Sequence, residues 1–172
     1  QAVKQCKITS MLSEMKLKPK KLKHVVASIA GESVSVKQIK SMYLPDKELE
    51  SSLYFEAKKH LAISGEGLLL DYQVRHVDDR SNQMEVLMAV TTRKALARHM
   101  KAFEMAGLNL TIVDAGEIAL ANSYSLLNWP EYEKGGVYIV LDIGAESSKM
   151  ITFGHDALFF TRNLKIAGIN VT

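Results

Sequence analysis

Between Val137 and Gly168 the chain reads VYIVLDIGAESSKMITFGHDALFFTRNLKIAG, three apolar strand-like runs separated only by turns at 144–147 and 154–157. Connections this short leave no room for a crossover helix, so neighbouring runs must lie antiparallel. The first turn, DIGAESSK, carries the residue types of an anion site. Gly144 lets a backbone approach a phosphate closely, Ser147 and Ser148 with their N–H groups can donate to its oxygens, and Lys149 adds positive charge. Asp142, at the end of an apolar strand, stands where a hydrated Mg²⁺ needs a carboxylate. No GxxxxGK[ST] run is present, so this is not a Walker loop. Asp-x-Gly at a strand end also serves as ordinary turn chemistry, and the rest of the chain has to discriminate.

Upstream, residues 2–17 have loosely helical apolar spacing, which KPKK interrupts around Pro19. VVASIAG (25–31) and VSVKQI (34–39) read as strands and, with Gly31-Glu32 between them, as a hairpin. A helix follows Pro45, with Asp46 its N-cap candidate and Leu49, Leu53, Ala57 and Leu61 one buried stripe. ISGEG turns the chain. LLLDYQVRHV (68–77) alternates, with Leu70, Tyr72 and Val74 on one face and Asp71, Gln73 and Arg75 on the other. DDRSNQ is a hairpin loop and MEVLMAV (84–90) the partner strand.

Thr91 or Thr92 caps a helix over KALARHMKAFEMAGL. Leu96, Met100 and Phe103 face inward on it, Lys94, Arg98 and Lys101 outward, and Gly107 is the left-handed stop. Met84, Met88, Met100 and Met105 are expected as core filler. LTIVDAG is a strand, EIALANSYSLL a small-residue helix, and NWPEYEKGG (128–136) a linker anchored by Trp129-Pro130. Alternating short strands and helices predict a mixed α/β (α+β) fold.

With 172 residues, 47% of them hydrophobic, the chain can bury a sizeable core. The net charge of +3 does not argue for nucleic acid, and no nucleic-acid partner is expected. The lysines of residues 1–24 read as a solvated face. A single cysteine, Cys6, excludes an internal disulfide framework and fits a reducing compartment. No apolar run approaches the roughly 20 residues of a membrane span. The five histidines show no HxxxH or HExxH spacing, and no GxSxG elbow surrounds Ser147. Starting at Gln1 and ending at INVT, the chain is expected to be a fragment of a longer cytosolic protein.

A phosphate loop between two antiparallel strands resembles the arrangement of actin-like ATPases, in which two related halves each supply one such loop to a shared cleft. VDAGEIALANSY resembles the connector of that superfamily, an acidic strand end leading into an Ala-rich helix under the cleft. The resemblance implies that Asp114 and Glu117 face the metal or attacking water. It also implies that Gly168, in IAGINVT, closes the second strand pair. VVASIAGESVSVKQI, LPDKELESSLYFEAKKHL, LDYQV, VLMAVTT, KAFEMAGL and VDAGEIALA, in this order, are similar to the PilM family of pilus assembly proteins. These are cytoplasmic relatives of the cell-division protein FtsA. The similarity covers nearly all of residues 12–172.

It implies a partial actin-like ATPase fold. Residues 1–23 would be a basic helical segment and 24–107 a strand-helix-strand-strand insert domain. Residues 108–136 would be the connector strand, helix and linker of the first cleft subdomain, and 137–172 the start of the second half. By position DIGAESSK is the second phosphate loop. The first loop and the adenine-binding part lie outside this chain.

The resemblance implies a cytoplasmic component of type IV pilus (or related secretion) assembly at the inner face of the bacterial inner membrane, reaching the membrane through partners. It would dock the N-terminal tail of a PilN-like inner-membrane protein in a groove between the insert domain and the first cleft subdomain, and it could assemble as a homo-oligomer. Its cofactors would be ATP and Mg²⁺ in the complete protein, held by Asp142 (through water), Gly144, Ser147, Ser148, Lys149 and Gly168. At most it would be a slow ATPase, with Asp114 and Glu117 the candidate catalytic residues. Alternatives are an FtsA-like division protein or a fragment of an actin-superfamily phosphotransferase; LDYQV within the insert unit argues against the latter.

Family members commonly have small or hydroxyl residues where this chain has Glu146, and a carboxylate there repels phosphate oxygens. The 172-residue chain alone is therefore expected to bind ATP weakly or not at all. Calorimetric titration checks this, and a micromolar dissociation constant would refute it.

Overall fold

The computed structural model describes residues 2–60, 67–155 and 157–170. Helix α1 (Ala2–Glu14) is followed by β1 (Val26–Ile29), β2 (Val34–Met42), α2 (Asp46–His60), β3 (Leu68–Asp78), β4 (Gln83–Thr92) and α3 (Arg93–Glu104). Then come β5 (Ile112–Ala115), α4 (Gly116–Leu127), α5 (Trp129–Glu133), β6 (Tyr138–Ile143), β7 (Ser148–Phe153) and β8 (Phe160–Leu164). The strands form three small sheets, ordered β1-β5, β2-β4-β3 and β6-β7-β8. The mixed α/β class expected from the sequence is observed.

The strands from 25 and 34 do not form the expected hairpin. β1 pairs in parallel with β5, Val26 opposite Ile112 and Ile29 opposite Ala115, whereas β2 pairs antiparallel with β4. The cause is local. Gly31 has a φ of +77°, and a short 3-10 turn over Gly31–Ser33 swings the chain from one sheet into another. The β1–β5 pairing continues outward, with the Thr111 N–H donating to the Val25 carbonyl at 2.9 Å.

β4 is the central strand of its sheet and is covered on both faces, which accounts for its nearly continuous apolar run. On one face Met84, Val86 and Met88 pack with Leu49 and Leu53 of α2. On the other, Leu87 joins Val34 and Val36 of β2 in a cluster with Ile29, Ala115, Ala121, Ile151, Phe153 and Phe159. That second cluster draws on all three sheets. The α2 stripe is buried as expected at Leu49, Leu53 and Ala57; Leu61 and most of ISGEG lie outside the described residues. Asp46 is the first residue of α2 and not its cap, since the Pro45 carbonyl accepts the N–H groups of Glu48 and Leu49.

β3 departs from strict alternation. A β-bulge between Val74 and His76 leaves Arg75 without a partner on β4 and exchanges the faces beyond it. Val74, expected inside, is exposed, while Arg75, expected outside, is half-buried. Its guanidinium Nη2 donates to the carbonyls of Gly154 (3.1 Å) and His155 (3.2 Å), and Nη1 to Ala157 O (3.3 Å) and Gln38 Oε1 (3.2 Å). Gln38 Oε1 also accepts the Phe159 N–H at 2.7 Å, and Gln38 Nε2 donates to Glu85 at 2.7 Å. Side chains of the β2-β4-β3 sheet thereby grip the β7–β8 connection. At the β3–β4 hairpin, the Ser81 hydroxyl and Arg80 N–H hold the Asp78 carboxyl below its usual range.

Thr92 caps α3 by accepting the Ala95 N–H (3.1 Å), and Gly107 supplies the left-handed stop. Met84 and Met88 are core residues, but Met100 and Met105 are exposed, although α1 lies against α3 and Gln5 Nε2 donates to the Met105 carbonyl at 3.1 Å. The expected linker contains the short α5, anchored by Tyr132 rather than Trp129, which is half exposed. The Tyr132 ring lies 5.9 Å from Tyr138 and 6.4 Å from Phe153. The lysines of the N-terminal segment from Lys7 to Lys23 are solvated, as expected.

Leu53→Ala is expected to cost about 2–5 kcal/mol, as a cavity opens under α2. Phe55→Ala, at a side chain 71% exposed on the same helix, should change stability by about 0.5 kcal/mol or less. Urea denaturation of the two variants checks the contrast.

Candidate functional site

β6 and β7 place Asp142 opposite Lys149 and Ile143 opposite Ser148. Alternation then puts Asp142 and Lys149 on one face of the hairpin and Ser148 on the other. The loop between them is a tight turn in which Gly144 N–H donates to Ser147 O at 3.0 Å. A Cβ on Gly144 would stand 2.6 Å from that oxygen, so only glycine closes the turn. The turn consumes the Gly144 amide, which leaves those of Ala145, Glu146 and Ser147 as the loop's donors for an anion. Behind the loop, Gly168 N–H donates to Gly144 O (2.9 Å) and Ile169 N–H to Ala145 O (3.0 Å). Gly168 thus backs the loop rather than lining the space in front of it.

Facing the hairpin is the first turn of α4. Its N-cap, Ala115, brings no side-chain cap. Gly116 sits so close to β1 that a Cβ there would meet Ala30 Cβ at 2.9 Å. Glu117, in the first turn and 2% exposed, forms an ion pair with Lys149. The lysine offered by the sequence as a phosphate ligand is therefore engaged by a buried carboxylate. Two buried oxygens in this neighbourhood, Glu117 Oε2 and Ser148 Oγ, have no hydrogen-bond partner.

Between the hairpin, α4 and the turn after β1 lies a cleft of about 680 Å³. Ser147, Asp142, Lys149 and Glu117 line it; Ser148, Gly144 and Gly168 do not. Its charges are four carboxylates, Glu32, Glu117, Asp142 and Glu146, against the Lys149 ammonium. Such a lining repels a bare polyphosphate and suits one that arrives with a divalent cation. Among the described residues no group of three or more acids lies close enough together to hold a metal ion directly, so a hydrated Mg²⁺ accompanying a nucleotide would meet these carboxylates, Glu117 Oε2 among them, through its water shell.

Asp114 does not share this cleft, against the expectation that it would face the metal or water. It lines a second concavity, where its Oδ1 accepts the Ala115 N–H at 2.8 Å. That carboxylate is turned onto the next amide at the strand end. The second concavity is a mainly apolar groove of about 470 Å³ between β3, β4, α3 and β5. Leu87, Ala89 and Thr91, alternate residues of one β4 face, contribute to its floor, and Leu96, Met100 and Ile118 to its walls. Sequence periodicity assigned Met100 to the core; its partial exposure is this groove. Gln38 and Arg75 were missed as tertiary links. The available signal was Gln38 itself, an amide in the inward parity of Val34 and Val36.

The chain matches the family model for type IV pilus assembly protein PilM over residues 3–172. Among solved structures, a PilM-PilN type IV pilus biogenesis complex matches with a TM-score of 0.78 and 25% sequence identity, covering 98% of this chain and 49% of that one. A protein from Bacteroides thetaiotaomicron, described as having an actin-like ATPase fold and unknown function, matches with a TM-score of 0.43 and 10% identity, over 95% of this chain and 56% of that one. The chain spans about half the length of these solved structures.

Lys149→Ala leaves the Glu117 carboxylate buried and uncompensated, and is expected to cost about 3–5 kcal/mol in stability. The double replacement Glu117→Leu with Lys149→Met should recover most of that loss. Denaturation midpoints of the single and double variants provide the check.

Proposed function

This chain belongs to the type IV pilus assembly protein PilM family, and from that premise we propose that it is the part of a cytoplasmic pilus-assembly component that captures the N-terminal tail of a PilN-like inner-membrane protein. The observation that carries the reading is the apolar groove between β3, β4, α3 and β5. It has the position the family resemblance implies, between the unit of residues 24–107 and the connector strand and helix. The match to a PilM-PilN complex supports the same partner. No described helix is long and apolar enough to cross a membrane; in this reading, that partner brings the protein to the inner face of the inner membrane.

The cleft on the other side of α4 gives the proposed regulation. In the complete protein, an actin-like ATPase, Asp142 would hold the water shell of Mg²⁺, and Ser147 with the loop amides would hold phosphate oxygens. The bound nucleotide and metal supply charge that bridges the two halves. Glu117, fixed by Lys149, keeps its second oxygen available for a water or the metal's shell. Ser148 and Gly168 support the loop from behind. Any hydrolysis would be slow, because Glu117 is ion-paired and the Asp114 carboxylate is engaged by the Ala115 amide.

Nucleotide can alter tail affinity only if the two ligands favour the same relative arrangement of the halves. The Arg75 and Gln38 bonds to residues 154–159 support such coupling. They tie β3, a wall of the groove, to the strand pair that carries the phosphate loop.

In the complete protein Asp142→Ala is expected to abolish nucleotide binding by calorimetry; unchanged binding would make DIGAESSK a structural turn. Met100→Glu, at an exposed position in the groove, should weaken retention of a PilN-tail peptide by about tenfold or more without lowering the melting temperature. Equal retention by variant and wild type would remove the groove from the function.

A further inference from the structure

Residues 16–24, KLKPKKLKH, hold five lysines, and no acid occurs between Glu14 and Glu32. Removing the five would turn the net charge of the chain from +3 to −2, so its basic character is local. Lys16, Lys18, Lys20, Lys21 and Lys23 are all exposed, and among the described residues none of them forms an ion pair. Residues 105–113, which lie beside this segment, carry no charge. Lys101, in the last turn of α3, adds a further cation, and Glu14 and Glu104 are the acids at the margins.

The lysines are held in folded backbone. α1 closes in a Schellman motif, with the Leu17 N–H donating to Leu12 O at 2.8 Å and the Lys16 N–H to Ser13 O at 3.0 Å. That motif gives Lys16 a φ of +55°, a backbone that favours glycine, yet the chain places a charge there. A 3-10 turn over Pro19–Lys21 follows, and the Leu22 N–H closes it on Pro19 O at 3.0 Å. Pro19 and Leu22 are half-buried, and a Cβ on Gly107 would stand 3.4 Å from Pro19 Cβ. The turn is thus seated by its apolar residues and presents its lysines outward, with little ordering left to be done on binding.

This basic surface ends beside the groove. Lys23 and His24 lead into Val25, whose N–H donates to Thr111 Oγ1 at 3.1 Å, and Thr111 lines the groove. The chemistry of the patch narrows its partner. It contains lysine and no arginine, and no Phe, Tyr or Trp occurs before Tyr43. Arginine forks suit one defined phosphate and aromatic rings suit bases, whereas hydrated ammonium groups suit a diffuse layer of negative charge.

We infer that residues 16–24 form a contact surface for the headgroups of an anionic bilayer, made by this chain itself and not only through a partner. Such attraction acts within a Debye length, about 8 Å at physiological salt. A tail from a membrane protein held in the adjoining groove would keep the patch near that range, and the two contacts would then reinforce each other.

Co-sedimentation of the purified complete protein with lipid vesicles tests this without any partner. Vesicles with about 30% phosphatidylglycerol should retain the protein at low salt, less so as salt rises, and pure phosphatidylcholine vesicles should not. Lys18→Gln, Lys20→Gln and Lys21→Gln together should weaken partitioning about a hundredfold. Lys47→Gln, Lys58→Gln and Lys59→Gln, exposed on α2 and equal in net charge removed, should weaken it far less. Equal losses from the two triple variants would reduce the effect to net charge and overturn the inference. Absence of retention on the anionic vesicles would overturn it as well; if polyglutamate or RNA still bound, the surface would belong to another polyanion. Because the vesicles hold no protein, each of these results is independent of tail capture, which the Met100→Glu comparison decides.

Discussion

A two-stranded sheet is too small to be stable alone, and one shared hydrophobic cluster joins the β1-β5 pair to both three-stranded sheets. Ile29 and Ala115 enter it from the parallel pair, Val34, Val36 and Leu87 from the antiparallel sheet, and Ile151 and Phe153 from the hairpin sheet. Ala121 brings α4 into the same cluster, which sets the helix between the other elements. Both concavities are by-products of this arrangement. The cleft opens where α4 meets the hairpin sheet, and the groove where β5 meets the edge of the antiparallel sheet. Neither is built within one sheet, so both depend on how the cluster is packed.

Polar contacts add direction to this non-directional core. Lys149 and Glu117 join the β6–β7 hairpin to α4, and Gln38 and Arg75 join the antiparallel sheet to the loop after β7. These contacts are largely buried, where an unpaired group is costly, so each fixes one mutual placement of the elements it connects. The cleft is in this way held from two sides by bonds that its own lining residues do not all make.

Elements defined by local rules could be read directly from the residues. The α2 stripe, the Thr92 cap, the Gly107 stop and the antiparallel pairs around 78–83 and 144–147 follow from periodicity and turn chemistry. The β1–β2 hairpin misled because neighbouring strands usually pair, and nothing local announced that β1 would join Ile112–Ala115 far along the chain. The same limit applies at the sites. Residue types located the loop and its acids, but not that Lys149 is spent on Glu117 or that Asp114 lies in the groove. Such facts depend on which face meets which neighbour, and that is decided by packing.

The bulge at Arg75 makes β3 two strands in one. Before it, Leu69–Gln73 keep one parity and serve the groove; after it, the parity is reversed and the strand runs on to the hairpin at Asp78. A single-residue deletion at the bulge would merge the halves into one frame and turn every side chain on one part to the opposite face. Transplanting this strand between relatives therefore demands the extra residue along with the visible motif. The side chains that line the groove can therefore change on the first segment while the guanidinium grip at the bulge stays fixed.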